Sequence, residues 1–298
     1  RSAANGTGSA SENTDPVGWR PLVKSLWSLP EGNRMAGYFG TETQQRLQAR
    51  AEAAAAFIEA TPGACQTGRT MGCDDPAKLG WERIDEYLDR DGICGFRLIS
   101  VDEVAGLKDR LAERGYRLDT WDVFLADRST ALLASKRILS RSLPAGLFEL
   151  ESPIDPTGER TQRIQSIMSA AGVAPFSGSM LVGAIGPAAT TAIGDADGNV
   201  VAVAHGYMPH NSHSDFHRYA WGGLVAVADT LRGKGFGNYV NALMISRVFE
   251  RLTATHIYEL VSATNAASRR MVEACGLRLE SGLVCGIATP TQGSRFTR

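Results

Sequence analysis

The sequence lacks an excess of charge of either sign: 31 lysines and arginines stand against 32 aspartates and glutamates, for a net charge of -1. Without a basic field there is nothing to hold a polyanionic backbone, so no nucleic-acid partner is expected. The small cluster of Lys136, Arg137 and Arg141 reads as a solvated helix face. Long apolar runs are missing too. None approaches the roughly 20 residues that a membrane-crossing helix needs, so no membrane partner is expected. Cysteine is scarce. Cys65, Cys73, Cys94, Cys275 and Cys285 are an odd number without a C-x-x-C pair. That excludes a disulfide framework or a zinc ribbon and suggests reduced thiols in a cytoplasmic protein. Residues 1–16 are small and polar, with no apolar stretch of the signal-peptide kind. The segment 1–19 is expected to be a disordered tail. The 43% apolar content leaves enough for real cores, and 298 residues are enough for two domains of ordinary size.

What the chain does have is a strand that turns through glycines into a helix. Tyr219 to Val227 has strand character, and Arg232-Gly233-Lys234-Gly235-Phe236-Gly237 follows. Helical apolar spacing then begins at Val240, Leu243, Met244 and Val248. Such a turn presents backbone N–H groups and the positive end of the helix dipole to one point. Glycine lets the main chain approach a phosphate without an intervening Cβ. Two other phosphate loops are absent. The glycines run G-x-G-x-G, not the dinucleotide G-x-G-x-x-G, and no G-x-x-x-x-G-K-[ST] occurs. A second strand, Thr255 to Ala263, leads to Thr264-Asn265 and a helix with Ser268, Met271, Val272 and Cys275 on one face, closed by Gly276.

R-x-x-G-x-G after a strand, followed by strand, Asn and a short helix ending in Gly-Leu, resembles the GNAT superfamily of N-acetyltransferases over about the last half of the chain. The resemblance implies an α+β fold with a mixed sheet. It implies acetyl-CoA as co-substrate, with its pantetheine arm on the strand segment Val225-Ala226-Val227. Its pyrophosphate would lie on Arg232, Gly233, Lys234, Gly235, Phe236, Gly237 and Asn238, with Asn265 and Ser268 contacting the arm. The implied reaction is transfer of an acetyl group to a primary amine of a small molecule by direct attack in a ternary complex. A longer acyl-CoA, or a non-catalytic acetyl-CoA-binding regulatory module, are alternatives. The protein would act as a monomer or homodimer.

Two positions depart from the family pattern. Val272 stands where many members carry the tyrosine that protonates the leaving thiolate. No Glu or His occupies the base positions of the strand before the loop. Tyr219 is the titratable side chain on that face, and His217 precedes it, so these two are the candidate catalytic residues. The loop with His210, His213, Asp215 and His217 has no H-x-x-x-H helical spacing. It is read as facing substrate, and no metal is expected.

Upstream, residues 20–143 are expected to form a smaller α/β domain and 144–298 the acetyltransferase domain. Residues 20–62 read as helical, above all Thr43 to Ala60, and 62–80 as a loop. Strands are expected at Gly95–Ser100 and Leu118–Ala126, and helices at Val101–Arg114 and Ser129–Ser140. Gly115 to Val123 echoes Gly276 to Val284. Each follows a strand and a helix, so the N-terminal part reads either as a degenerate copy of the C-terminal one or as an unrelated α/β cap.

Overall fold

The computed structural model describes residues 35–292. The expected tail, and the part of the helical reading before residue 35, lie outside the described residues. The chain runs α1 (Glu42–Ala53), α2 (Ala55–Ala60), β1 (Ala64–Gln66), β2 (Met71–Cys73), α3 (Pro76–Leu79), α4 (Trp81–Asp91), β3 (Cys94–Ser100), α5 (Val104–Glu113), β4 (Tyr116–Asp127) and α6 (Arg128–Leu139). It continues as β5 (Leu147–Leu150), α7 (Glu159–Ala170), α8 (Gly178–Val182), β6 (Ala188–Asp195), β7 (Val200–Tyr207), β8 (Tyr219–Val227), α9 (Phe236–Arg251), β9 (His256–Val261), α10 (Ala266–Ala274) and β10 (Arg278–Pro290).

All ten strands join one sheet in the order β1-β2-β3-β10-β4-β9-β8-β7-β6-β5. The last strand of the chain therefore lies between two strands of the N-terminal half. β4 in turn lies between β10 and β9, antiparallel to both. Each half thus lends a strand to the other. α5 and α10 end at Gly115 and Gly276, both at positive φ, and each leads into the exchanged strand. Two pairs are parallel, β2 with β3 and β8 with β9.

The sheet separates two cores. On one face α9 packs on Ala202, Ala204, Ala220 and Ile257 through Val240, Met244, Ile245 and Val248. It approaches closely because Gly206 and Gly222 carry no side chain. A Cβ on Gly206 would stand 2.7 Å from Val248 Cγ2, and one on Gly222 2.7 Å from Met244 Cε. The other face holds Val203, Tyr207, Trp221 and Tyr258 under Ile164, Met168, Phe176 and Leu181. Strand alternation sends successive side chains of β8 and β9 to these two faces. A third cluster, with Ile84, Leu88, Phe96, Leu107 and Leu111, fills the N-terminal half.

The segment 62–80, expected as a loop, contains β1, β2 and α3. Three-residue strands leave no alternation to read. Their pairing is imposed from outside, by β3 on one side and by a bridge from Cys65 to His210.

Candidate active site

β8 and β9 run side by side from Tyr219 opposite His256 to Gly222 opposite Glu259, and there the pairing stops. The strands part because β8 is distorted at that point. Gly223 has φ 159 and Leu224 φ 51, and the register against β7 shifts between Val203 and His205. A left-handed leucine costs about 1–3 kcal/mol and marks a feature held by its surroundings. Beyond the bulge, Ala228 donates its N–H to Val201 of β7 at 2.9 Å. Main-chain direction alternates along a strand, so Ala226 points the same way, and the N–H groups of Val225 and Val227 point away from β7 into the opening.

The opening leads to the glycine loop. A 3₁₀ turn at Asp229–Leu231 is followed by Gly233 at φ 74 and Gly235 at φ 86, the latter capping α9. Nothing stands within 4 Å of where a Cβ would be on either glycine. The first-turn amides of α9, those of Phe236, Gly237 and Asn238, have no acceptor within the helix. Arg232 is half-exposed, paired with Asp229 at 2.9 Å. Asn265 caps α10, its side-chain oxygen accepting from Ser268 N at 3.0 Å. Met271 of α10 lies 3.5 Å from a Cβ built on Gly237, so α10 borders the loop. The fold thus brings together Val225, Val227, the 232–238 loop and the start of α10. These groups fit an extended thioester coenzyme with a diphosphate: a cleft lined by free amides ending at a helix N-terminus.

Residues 170–277 match the model of the Acetyltransferase (GNAT) family. Residues 170–277 thus form a GNAT domain. A GCN5-related N-acetyltransferase from Kribbella flavida is 17% identical, over 78% of this chain and 80% of that one, with a TM-score of 0.49. A Drosophila protein is 15% identical, over 75% and 71%, with a TM-score of 0.52, a likeness of fold alone. No curated protein matches the sequence. The domain supports acyl transfer from acyl-CoA. Among the described residues no helix is long and apolar enough to cross a membrane, and no cluster of three His, Cys, Asp or Glu side chains is placed to hold a metal.

The catalytic candidates lie elsewhere than the opening. Tyr219 stacks on His256 at 4.3 Å between centroids, at the first rung of β8 with β9. That is three residues, roughly 10 Å of strand, from the point where the strands part. His217 Nδ1 contacts Ser214 O at 3.1 Å. Neither is brought to the opening in this GNAT domain.

A different group stands one rung from it. Tyr258 faces Trp221 across β8 and β9, and its hydroxyl is 3.1 Å from His210 Nε2. His210 Nδ1 is 2.6 Å from Asp74 Oδ2, which also accepts from Ser214 Oγ at 2.7 Å. All three are buried. A carboxylate only accepts, so His210 Nδ1 carries the proton and Tyr258 donates to Nε2. Burial, against Asp74, lowers the His210 pKa below its ordinary value, so the ring is neutral and its Nε2 is free to receive a proton. The histidine lies in the loop singled out in the sequence, whereas Asp74 and Tyr258 carried no signal of their own. The one available hint was a tyrosine and a glutamate inside the apolar run of β9.

That glutamate, Glu259, points to the opposite face and is 3% exposed. Asn241 Nδ2 donates to it at 2.7 Å. Burial raises its pKa to about 7, partly offset by Asn241. The folded state therefore binds its proton more tightly than the unfolded chain. Its contribution is fully present below about pH 4.5 and is lost as pH rises to about 7. A shift of this size is worth on the order of 3 kcal/mol. Glu259→Gln keeps the acceptor for Asn241 and removes the ionisable group. It should raise the melting temperature above pH 7 and change it little near pH 4.5. Equal shifts at both pH values would show that ionisation is not the cause.

Proposed function

We propose that this protein transfers an acetyl group from acetyl-CoA to a primary amine of a small molecule. The reading rests chiefly on the parting of β8 and β9 beyond Gly222, which leaves the Val225 and Val227 amides facing an opening that ends at the α9 N-terminus. The bound thioester supplies an activated acyl carbon, and the chain does the rest. The α9 amides and loop glycines hold the diphosphate. The Val225 and Val227 amides orient the arm and its carbonyl. Tyr258 takes the proton of the incoming amine while passing its own to His210 Nε2, and Asp74 steadies the imidazolium so formed. As the C–N bond forms the C–S bond breaks, the coenzyme leaves as its thiolate, and the proton held on His210 returns through Tyr258 to that thiolate or to solvent. His210 and Asp74 are positioning residues in this scheme. Tyr219 and His217 line the outer approach.

Thiol release from acetyl-CoA, measured across amino acids, polyamines and aminoglycosides, tests the proposal. Release that no amine accelerates would overturn it.

The N-terminal half reads as a degenerate copy of the same unit. Parallel β2 and β3, then α5 and β4, repeat the order of parallel β8 and β9, α10 and β10. It carries no R-x-x-G-x-G, so calorimetry should find one acetyl-CoA per chain. A stoichiometry of two would defeat the loop argument.

A further inference from the structure

Arg97 on β3 is 7% exposed. Its Nε has no hydrogen-bond partner; the rest of the guanidinium meets only uncharged groups, the Tyr207 hydroxyl, the Cys285 thiol and, at 3.5 Å, Thr67 O. Its guanidinium lies 5.4 Å from the Trp221 ring centroid, on the face that carries Tyr258. Trp221 Nε1 is a second buried donor without a partner. Arg69 stands beside them, 5.0 Å over Phe176, which in turn lies 5.6 Å from Trp221. Arg69 gives its hydrogen bonds to the carbonyls of Ala174 and Pro175. Burial and the neighbouring Arg97 depress its pKa to about 10, so both guanidinium groups remain charged at neutral pH.

Neither arginine has a counter-charge. Among the described residues no carboxylate lies within 4.0 Å of Arg69 or Arg97. The buried carboxylate nearby, Asp74, is taken by His210 and Ser214. The phenols and thiols around Arg97 are neutral. Burial pushes Tyr207 up to about 12 and raises Tyr258, Cys65 and Cys285. A buried cation without a counter-charge costs several kcal/mol and persists where something bound supplies the charge. A crevice lined by Phe39, Leu47, Gln48, Ala174 and Pro175 reaches Arg69 from the surface.

We infer that this face binds an acceptor carrying an anionic group, a carboxylate or phosphate, on Arg97 and Arg69 with Trp221 Nε1, and that the group places the acceptor beside Tyr258. The inference rests on the acyl-transfer reading for the word acceptor; the anion site itself does not.

Two measurements test it on the full chain. The first is melting of the protein without ligand and with acetate or inorganic phosphate. Both anions should raise the melting temperature of the wild type, and neither should do so in Arg97→Met. Arg97→Met without ligand should melt at or above the wild type, because an uncompensated charge is gone. Loss of several degrees, or an anion response unchanged in Arg97→Met and Arg97→Gln, would overturn the inference. The second is thiol release with matched acceptors: L-amino acids against their carboxamides, and phosphoethanolamine against ethanolamine. The anionic member of at least one pair should show kcat/KM higher by about 100-fold or more, and Arg97→Gln should erase that preference with acetyl-CoA affinity unchanged. Preference for amino acids identifies a carboxylate site and preference for phosphoethanolamine a phosphate site. Equal use of charged and neutral acceptors would defeat the inference while leaving acyl transfer intact. Anion-dependent melting without any thiol release would leave the anion site standing and remove the acyl-transfer reading.

Discussion

Gly235→Asp should lower acetyl-CoA affinity by about three orders of magnitude in calorimetry. The residue caps α9 at φ 86, and nothing stands within 4 Å of its missing Cβ. The new side chain therefore meets no protein atom, and aspartate is among the residues that tolerate the left-handed region. The fold should survive, so the loss is read on the ligand. A carboxylate about 4 Å from a phosphate, at an effective dielectric of about 20, is repelled by about 4 kcal/mol per charge pair. It is also an anion seated at the positive end of the α9 dipole, competing with the phosphate for the same helix N-terminus. Gly235→Ala separates the causes, since it keeps the strain and omits the charge; its loss should be far smaller. Affinity of Gly235→Asp equal to wild type would mean that the diphosphate lies elsewhere.

Tyr258→Phe should reduce kcat by about 100-fold, the ordinary size of one general acid-base contribution, with KM nearly unchanged. The ring stays in the core and the hydroxyl goes, leaving His210 Nε2 as a buried acceptor without a donor. That orphan costs about 1–3 kcal/mol of stability, so activity is compared below the melting range of both proteins. His210→Gln and Asp74→Asn should each lower kcat and alter its pH profile, which a purely structural role would not do. The wild-type rate should fall with acidification, because a protonated His210 cannot accept from Tyr258. A Tyr258→Phe enzyme within about threefold of wild type in kcat would remove the hydroxyl from the chemistry. Tyr219→Phe, by contrast, should leave kcat alone and at most raise KM, given its place at the far end of β8.

The elements of the C-terminal half were legible because their signals are local. β8 occupies the expected Tyr219–Val227. The glycines fall where positive φ is needed, and Asn265 caps its helix. Strand periodicity, a left-handed turn and a helix cap are each decided by residues within a few positions of one another. Pairing across long distances left no such trace. The bulge at Leu224 depends on β7 and on the side chains packed beneath it, and leucine gives no warning of it. The hydrogen-bonded chain Asp74–His210–Tyr258 joins residues 136 and 48 apart in the sequence. Arg97 meets Trp221 although β10, β4 and β9 stand between their strands in the sheet. The sequence by itself determined a strand, a glycine turn and the helix that follows it. The tertiary structure alone decided which buried groups share the other face of the opening, since a strand's alternation says which side chains are buried and not which strand will lie beside it.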